Sequence, residues 1–187
     1  MIKVNIKGFE LEFETSQKCF SPGKIDAGTL AMLSCVEFTK GQKVLDLGCG
    51  YGVVGITAAK FTDAANVFMV DTDREAIFYS IRNAQQNQVE AVHSILSDGL
   101  DTLTECEFDL ILCNPPYHAD FSVAKRFIEK GFNRLKVGGK MMMVTKRKEW
   151  YKNKLTSIFG GVRIQEIAGY FVFEAERRHK NYGKKRG

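Results

Sequence analysis

Apolar residues alternate with polar ones at the start of the chain, as Ile2/Val4/Ile6 and then Phe9/Leu11/Phe13, on either side of Lys7-Gly8. Period-two alternation flanking a short turn predicts a hairpin with one buried face. Cys19-Phe20-Ser21-Pro22-Gly23 reads as a turn, after which Asp26 can cap a helix carrying Ala27, Leu30, Ala31 and Leu33 to about Phe38, with Gly41 closing the unit. From Val44 the pattern becomes an alternation of short apolar strands and helical periods. Strands are predicted over 43–47, 66–71, 108–113 and 140–145, with a weaker one over 91–96, and helices over 52–61, 74–86, 121–135 and 148–159. Two final strands, 162–167 and 170–175, bring the sheet to seven. Repeated β-α units predict an α/β fold: an open, mostly parallel sheet with helices on both faces, ending in an antiparallel strand and preceded by a short N-terminal hairpin and helix.

A length of 187 residues with 44% hydrophobic content suits one domain. We expect it over 1–176, with 1–40 as the hairpin and helix extension and 41–176 as the core, followed by a flexible basic tail over 177–187. No apolar run approaches the roughly 18 residues that span a bilayer, and the alternating N-terminus lacks a signal-peptide core. The expectation is a soluble, cytoplasmic chain. Five cysteines without a C-x-x-C pair, and three scattered histidines, predict reduced thiols and a site without metal.

The formal net charge of +5 is unevenly placed. Six cations (Arg177, Arg178, Lys180, Lys184, Lys185, Arg186) crowd the last eleven residues and leave the body one charge negative. A second basic stretch, from Arg134 to Lys154, carries eight cations against Glu149 alone. Both point to a polyanionic partner.

Directly after the first core strand comes Asp46-Leu47-Gly48-Cys49-Gly50-Tyr51-Gly52-Val53-Val54-Gly55, opening a helix. Strand, glycine loop and helix in that order make a nucleotide-site context, and Asp71, nineteen residues past Gly52, is placed to accept from ribose hydroxyls. Gly50-x-Gly52-x-x-Gly55 also satisfies the dinucleotide pattern, so the loop alone does not choose a cofactor. Asp46 tilts the choice, because an acid before the first glycine repels a pyrophosphate and attracts a cation. S-adenosylmethionine is cationic and has no phosphate. Asp46, Gly48, Gly50, Gly52, Asp71 and Asp98 form a candidate cradle for it, Asp98 accepting from the adenine amine and Leu100 packing on the ring.

The strand over 108–113 ends in Asn114-Pro115-Pro116-Tyr117. Two prolines stiffen the turn and disfavour a helical Asn114. This presents an amide side chain, carbonyls and an aromatic ring, a set suited to a planar, amine-bearing substrate: Asn114 and the Pro115 carbonyl accept amine hydrogens while Tyr117 stacks. His118 is a further candidate for touching the base or a phosphate. Lys146 and Arg147, just beyond a strand's C-terminal end, are placed to meet the phosphates of a polyanionic partner.

On these motifs the chain resembles class I S-adenosylmethionine-dependent methyltransferases, and within them the small-domain family that modifies guanine N2 in ribosomal RNA. The likeness runs from about Phe9 to Ala175. Val44 to Gly55 is similar to the family's first motif, Val70-Asp71 to the second, Ser97-Asp98 to the third and Asn114-Pro115-Pro116-Tyr117-His118 to the catalytic fourth. The resemblance implies a Rossmann-like fold, S-adenosyl-L-methionine as cofactor, and methylation of an exocyclic amine of ribosomal RNA at guanine N2, which makes RNA the polyanionic partner of Lys146 and Arg147. Many ribosomal guanine enzymes of the family carry Phe where this chain has Tyr117, and a degenerate duplicate domain in front. Tyr at that place is shared with adenine-N6 and glutamine-N5 enzymes, so those acceptors stay open. A noncatalytic nucleotide-binding module and an NAD-dependent dehydrogenase are the more distant readings, and oligomeric state is not legible. If the tail contributes phosphate contacts, removing 177–187 flattens the salt dependence of RNA binding, and an unchanged slope counts against that role.

Overall fold

The computed structural model describes residues 1–16, 23–116 and 121–182. β1 (Ile2–Ile6) and β2 (Phe9–Phe13) pair antiparallel as the predicted hairpin. Lys7 and Gly8 both take positive φ, 52° and 91°, as a two-residue turn matched to strand twist requires. Then follow α1 (Ala27–Cys35), β3 (Val44–Leu47), α2 (Val53–Ala59), a 3-10 turn at Ala64–Asn66, β4 (Val67–Asp71), α3 (Arg74–Gln86) and β5 (His93–Leu96). The second half adds β6 (Phe108–Cys113), α4 (Phe121–Arg134), β7 (Leu135–Thr145), α5 (Lys148–Phe159), β8 (Arg163–Ile167) and β9 (Tyr170–Glu176). Among the described residues no helix is long and apolar enough to cross a membrane.

The seven-stranded sheet has the order β5-β4-β3-β6-β7-β9-β8. The first five run parallel, and β9 inserts antiparallel between β7 and β8, so the last strand of the described residues lies inside the sheet and not on its edge. Successive strand residues face opposite layers. Val44, Met142 and Val144 pack with α1, α2 and the hairpin, while Leu45, Met141 and Met143 pack with α4 and α5. Both faces of the central strands are therefore buried, which is why they read as continuous apolar runs.

Two boundaries differ from the sequence expectation by three residues or more. α1 stops at Cys35 because Val36 turns extended (φ −80°, ψ 130°) to bury its side chain. β7 begins at Leu135 instead of residue 140, because the strand follows α4 without a loop and holds Gly138-Gly139 within it. A Cβ at Gly139 would lie 2.6 Å from the Phe108 carbonyl oxygen, so only glycine lets β7 approach β6 there.

The basic tail also departs from expectation over its first residues. Arg177 lies over the Phe132 ring at 4.8 Å and donates to the Leu135 carbonyl. Tyr182 meets the same ring edge-on at 4.8 Å and donates to the Glu129 carbonyl at 3.0 Å. Arg177 and Tyr182 thus anchor this stretch on α4; 183–187 lie outside the described residues.

The hairpin is fastened by two asparagines one turn apart, Asn83 in α3 and Asn87 at its C-cap. Asn87 accepts from the Glu12 N–H (3.1 Å) and donates to the Glu12 carbonyl (2.7 Å), and Asn83 does the same for Glu14 (2.7 and 2.9 Å). Two side-chain amides here take the place of a neighbouring strand at the free edge of β2. Asn83 also donates to the Tyr51 carbonyl at 2.8 Å, which joins the hairpin to the loop after β3. We expect Asn87→Ala to orphan both Glu12 backbone groups and lower unfolding stability by roughly 1–3 kcal/mol in urea titrations.

Candidate functional site

β3 and β6 are neighbours in the sheet, and the chain winds away from them in opposite directions, so a crevice opens beyond their C-terminal ends. A cleft of about 350 Å³ occupies it, walled by the loop after β3, the ends of β4 and β6, α1 and α4.

The loop is built from backbone hydrogen bonds that need its glycines. Gly48 and Cys49 N–H both donate to the Val70 carbonyl at 2.9 Å, and Gly50 N–H donates to Asp71 Oδ2 at 2.8 Å. Gly48 and Gly50 line the cleft; Gly52 stands behind its wall, where φ of 98° turns the chain into α2. A Cβ there would also meet Ile56 at 3.0 Å.

The three aspartates do three different jobs. Asp46 is buried, and its Oδ2 accepts from the Gly55 N–H at 2.8 Å, so a β3 side chain caps the first turn of α2 from beneath. Burial pushes this carboxyl up to about 7, against the pull of the Gly55 N–H, with the Asp71 charge adding to the rise. Asp71 spends one oxygen on Gly50 and the other on the Asp73 N–H (3.0 Å), closing the glycine loop and opening α3 together. Asp98 sits at the rim, gripped by both terminal nitrogens of Arg126 from α4, and this bond is the main reason the Arg126 pKa is raised. All three acids line the cleft.

Leu100 does not lie on the wall where the sequence reading placed it. Gly99 (φ 62°) turns the chain inward and buries Leu100 in the core beneath, and the apolar wall comes instead from Ile25, Val123 and Phe127.

Asn114 leaves β6 at the centre of the cleft. Its Nδ2 donates to Asp26 Oδ2 and to Thr29 Oγ1, both at 2.9 Å. Asp26 Oδ2 at the same time accepts the Thr29 N–H (2.9 Å) as the N-cap of α1. A carboxylate can only accept, so the amide has one orientation, with Oδ1 opposite these partners. Oδ1 is shielded from solvent and has no hydrogen-bond partner among the described residues. An acceptor held this way costs about 1–3 kcal/mol until a donor reaches it. Pro115 and Pro116 line the cleft beside it. Tyr117 and His118 lie outside the described residues.

Lys146 and Arg147 do not line the cleft; they are exposed beyond β7, over the rings of Tyr170 (4.9 Å) and Phe121 (5.0 Å). Thr29, Arg126 and the second role of Asp26 are absent from the sequence reading. The Asp26 cap was visible locally, but its bond to Asn114 crosses 88 positions with no local pattern to reveal it. Among the described residues no group of three or more His, Cys, Asp and Glu is arranged to hold a metal ion.

The profile of the methyltransferase small domain family matches residues 10–174. Ribosomal RNA small subunit methyltransferase C of Hahella chejuensis is 33% identical over 172 residues, covering 89% of this chain and 50% of that protein. YbxB of Bacillus subtilis, an uncharacterised protein, is 28% identical over 178 residues and matches 92% of this chain and 89% of its own length. The structure of the T. thermophilus 16S rRNA N2 G1207 methyltransferase (RsmC), in complex with AdoMet and guanosine, superposes with a TM-score of 0.88 at 30% identity, over 95% of this chain and 50% of that one. The chain thus spans about half the length of the ribosomal RNA methyltransferases it matches.

The raised Asp46 pKa has a definite sign in stability. Between about pH 4, where an unfolded aspartate ionises, and pH 7, the folded state holds the extra proton, so this residue's contribution falls as pH rises. We expect the stability of Asp46→Asn relative to the parent chain to climb over that window and level off above it, as measured by denaturant unfolding at a series of pH values.

Proposed function

This chain belongs to the methyltransferase small domain family, and from that premise we propose that it transfers a methyl group from S-adenosylmethionine to an exocyclic amine of ribosomal RNA, at guanine N2. The observation that carries the reading is the locked Asn114 amide, with a shielded acceptor oxygen facing no protein donor among the described residues. An acceptor held in one orientation suits an N–H bond that has to be aimed. The guanine assignment draws its support from the RsmC structure that holds guanosine.

The cleft fits the cofactor on its own chemistry. It offers apolar walls from Ile25 and Phe127, backbone exposed at Gly48 and Gly50, and the acids Asp46 and Asp71 for a cationic ligand with ribose hydroxyls. When bound, S-adenosylmethionine supplies a methyl carbon activated by its positive sulfur. The protein's own part is orientation. An exocyclic amine on guanine is a poor nucleophile because its lone pair is delocalised into the ring. Hydrogen bonds from its two hydrogens to Asn114 Oδ1 and the Pro115 carbonyl localise that pair and direct it. Asp26 and Thr29 keep Asn114 from turning its NH₂ toward the substrate, where it would repel the amine hydrogens.

The test is transfer of tritiated methyl from S-adenosylmethionine into total RNA and total protein, followed by nucleoside digestion. We expect label in N2-methylguanosine, and a rate loss of roughly 100-fold or more for Asn114→Ala. Label in N6-methyladenosine would replace guanine by adenine as acceptor; label confined to protein glutamine would overturn the RNA reading.

A further inference from the structure

Half of the cations of the second basic stretch are already engaged. Lys136 pairs with Asp109, Lys140 with Glu174 and Lys154 with Glu129, while Arg134 donates to the carbonyls of Thr104 and Glu105. Three consecutive cations differ. Lys146, Arg147 and Lys148 have no ion pair among the described residues, and each rests over an aromatic ring: Tyr170 at 4.9 Å, Phe121 at 5.0 Å and Phe171 at 5.2 Å. Phe121 in turn stacks on Trp150, with centroids 4.3 Å apart and planes 16° from parallel. Phe121, Trp150, Tyr170 and Phe171 are only partly buried, so ring surface stays within reach of solvent.

Strand register places this patch beside the cleft. β7 is parallel to β6 with Cys113 opposite Met143, so Asn114 and the segment starting at Lys146 leave adjacent strands at the same end of the sheet. Antiparallel β9 returns Phe171 opposite Thr145, bringing Tyr170 and Phe171 to that rim as well. Glu149 is the one acid in the run, in the first turn of α5.

An alternation of unpaired cations with accessible rings complements a chain that alternates phosphates with exposed bases. A duplex meets the cations but hides its bases from the rings, whereas an unpaired segment satisfies both. Resting on the RNA reading above, we propose that Phe121, Trp150 and Arg147 form a stacking site for an unpaired nucleotide flanking the acceptor base, with Lys146 and Lys148 taking the adjoining phosphates.

Trp150 is the only tryptophan of the chain, so its emission reports this site without a variant. The probe is a fluorescein-labelled single-stranded RNA of about ten nucleotides containing guanosine, with the same sequence as a duplex for comparison. Anisotropy of the label measures binding, and in parallel titrations with unlabelled RNA, tryptophan emission measures stacking. We expect quenching that saturates with the anisotropy curve, weaker binding of the duplex, and an affinity loss of roughly ten-fold or more for Phe121→Leu. That variant's affinity for S-adenosylmethionine, taken by calorimetry, should stay at the parent value, which establishes that it folds. Binding of the single strand with unchanged tryptophan emission, or equal affinity for the duplex, overturns the stacking site and leaves the RNA reading standing. No binding of either RNA overturns both.

Discussion

β3 and β6 lie side by side in parallel register, Val44 against Leu110 through Leu47 against Cys113, and the chain leaves them in opposite directions. Strands beyond β3 add on one side and strands beyond β6 on the other, so helices cannot close over the seam between them. Everything the protein offers a ligand is arranged around that gap. The glycine loop leaves the end of β3, the Asn-Pro-Pro turn leaves the end of β6, and Asp71 leaves the end of the next strand out. The cleft follows from sheet topology, and the side chains at the three strand ends give it its chemistry.

Within the cleft, polar groups are held mainly by backbone and by one another. Asp46 caps α2 from inside the core, Asp71 ties the glycine loop to the start of α3, and Asp26 caps α1 while orienting Asn114. Asp46 thus joins two consecutive elements across 9 positions, whereas Asp71 and Asp26 reach across 21 and 88. The N-terminal hairpin is drawn into the same scheme, since Asn83 holds both the Glu14 backbone and the Tyr51 carbonyl of the glycine loop. Segments outside the Rossmann-like core therefore belong to the support of the site: α1 carries the two acceptors that lock the Asn114 amide, and the hairpin braces the loop.

The distribution of charge carries a related lesson. A count of lysines and arginines between Arg134 and Lys154 suggests one continuous basic surface. Folding divides it, because the loop before β6, β6 itself, β9 and α4 bring carbonyls or acids to Arg134, Lys136, Lys140 and Lys154, while α4 and β9 bring aromatic faces to Lys146, Arg147 and Lys148 just after β7. Cations neutralised by carboxylates contribute little field beyond a Debye length. Those resting on rings keep their charge available, and they stand at the mouth of the sheet.

Fold class, the order of strands and helices, the glycine loop and the Asn-Pro-Pro turn were legible in the chain itself, because periodicity, caps and turn residues act over a few positions and leave local marks. α3 and α5 even keep the bounds their periodicity implies. What the sequence could not carry were relations across long separations. Leu100 follows a cleft-lining glycine and yet points into the core, since Gly99 reverses the backbone there. Asp98 appears free until α4 brings Arg126 against it. The bond from Asn114 to Asp26, 88 positions away, exists only after the sheet has formed. Local propensity determined which elements form and which chemical groups stand at their ends; tertiary packing alone decided which of those groups face one another, because a hydrogen bond depends on position to within tenths of an ångström and a linear pattern contains no such distances.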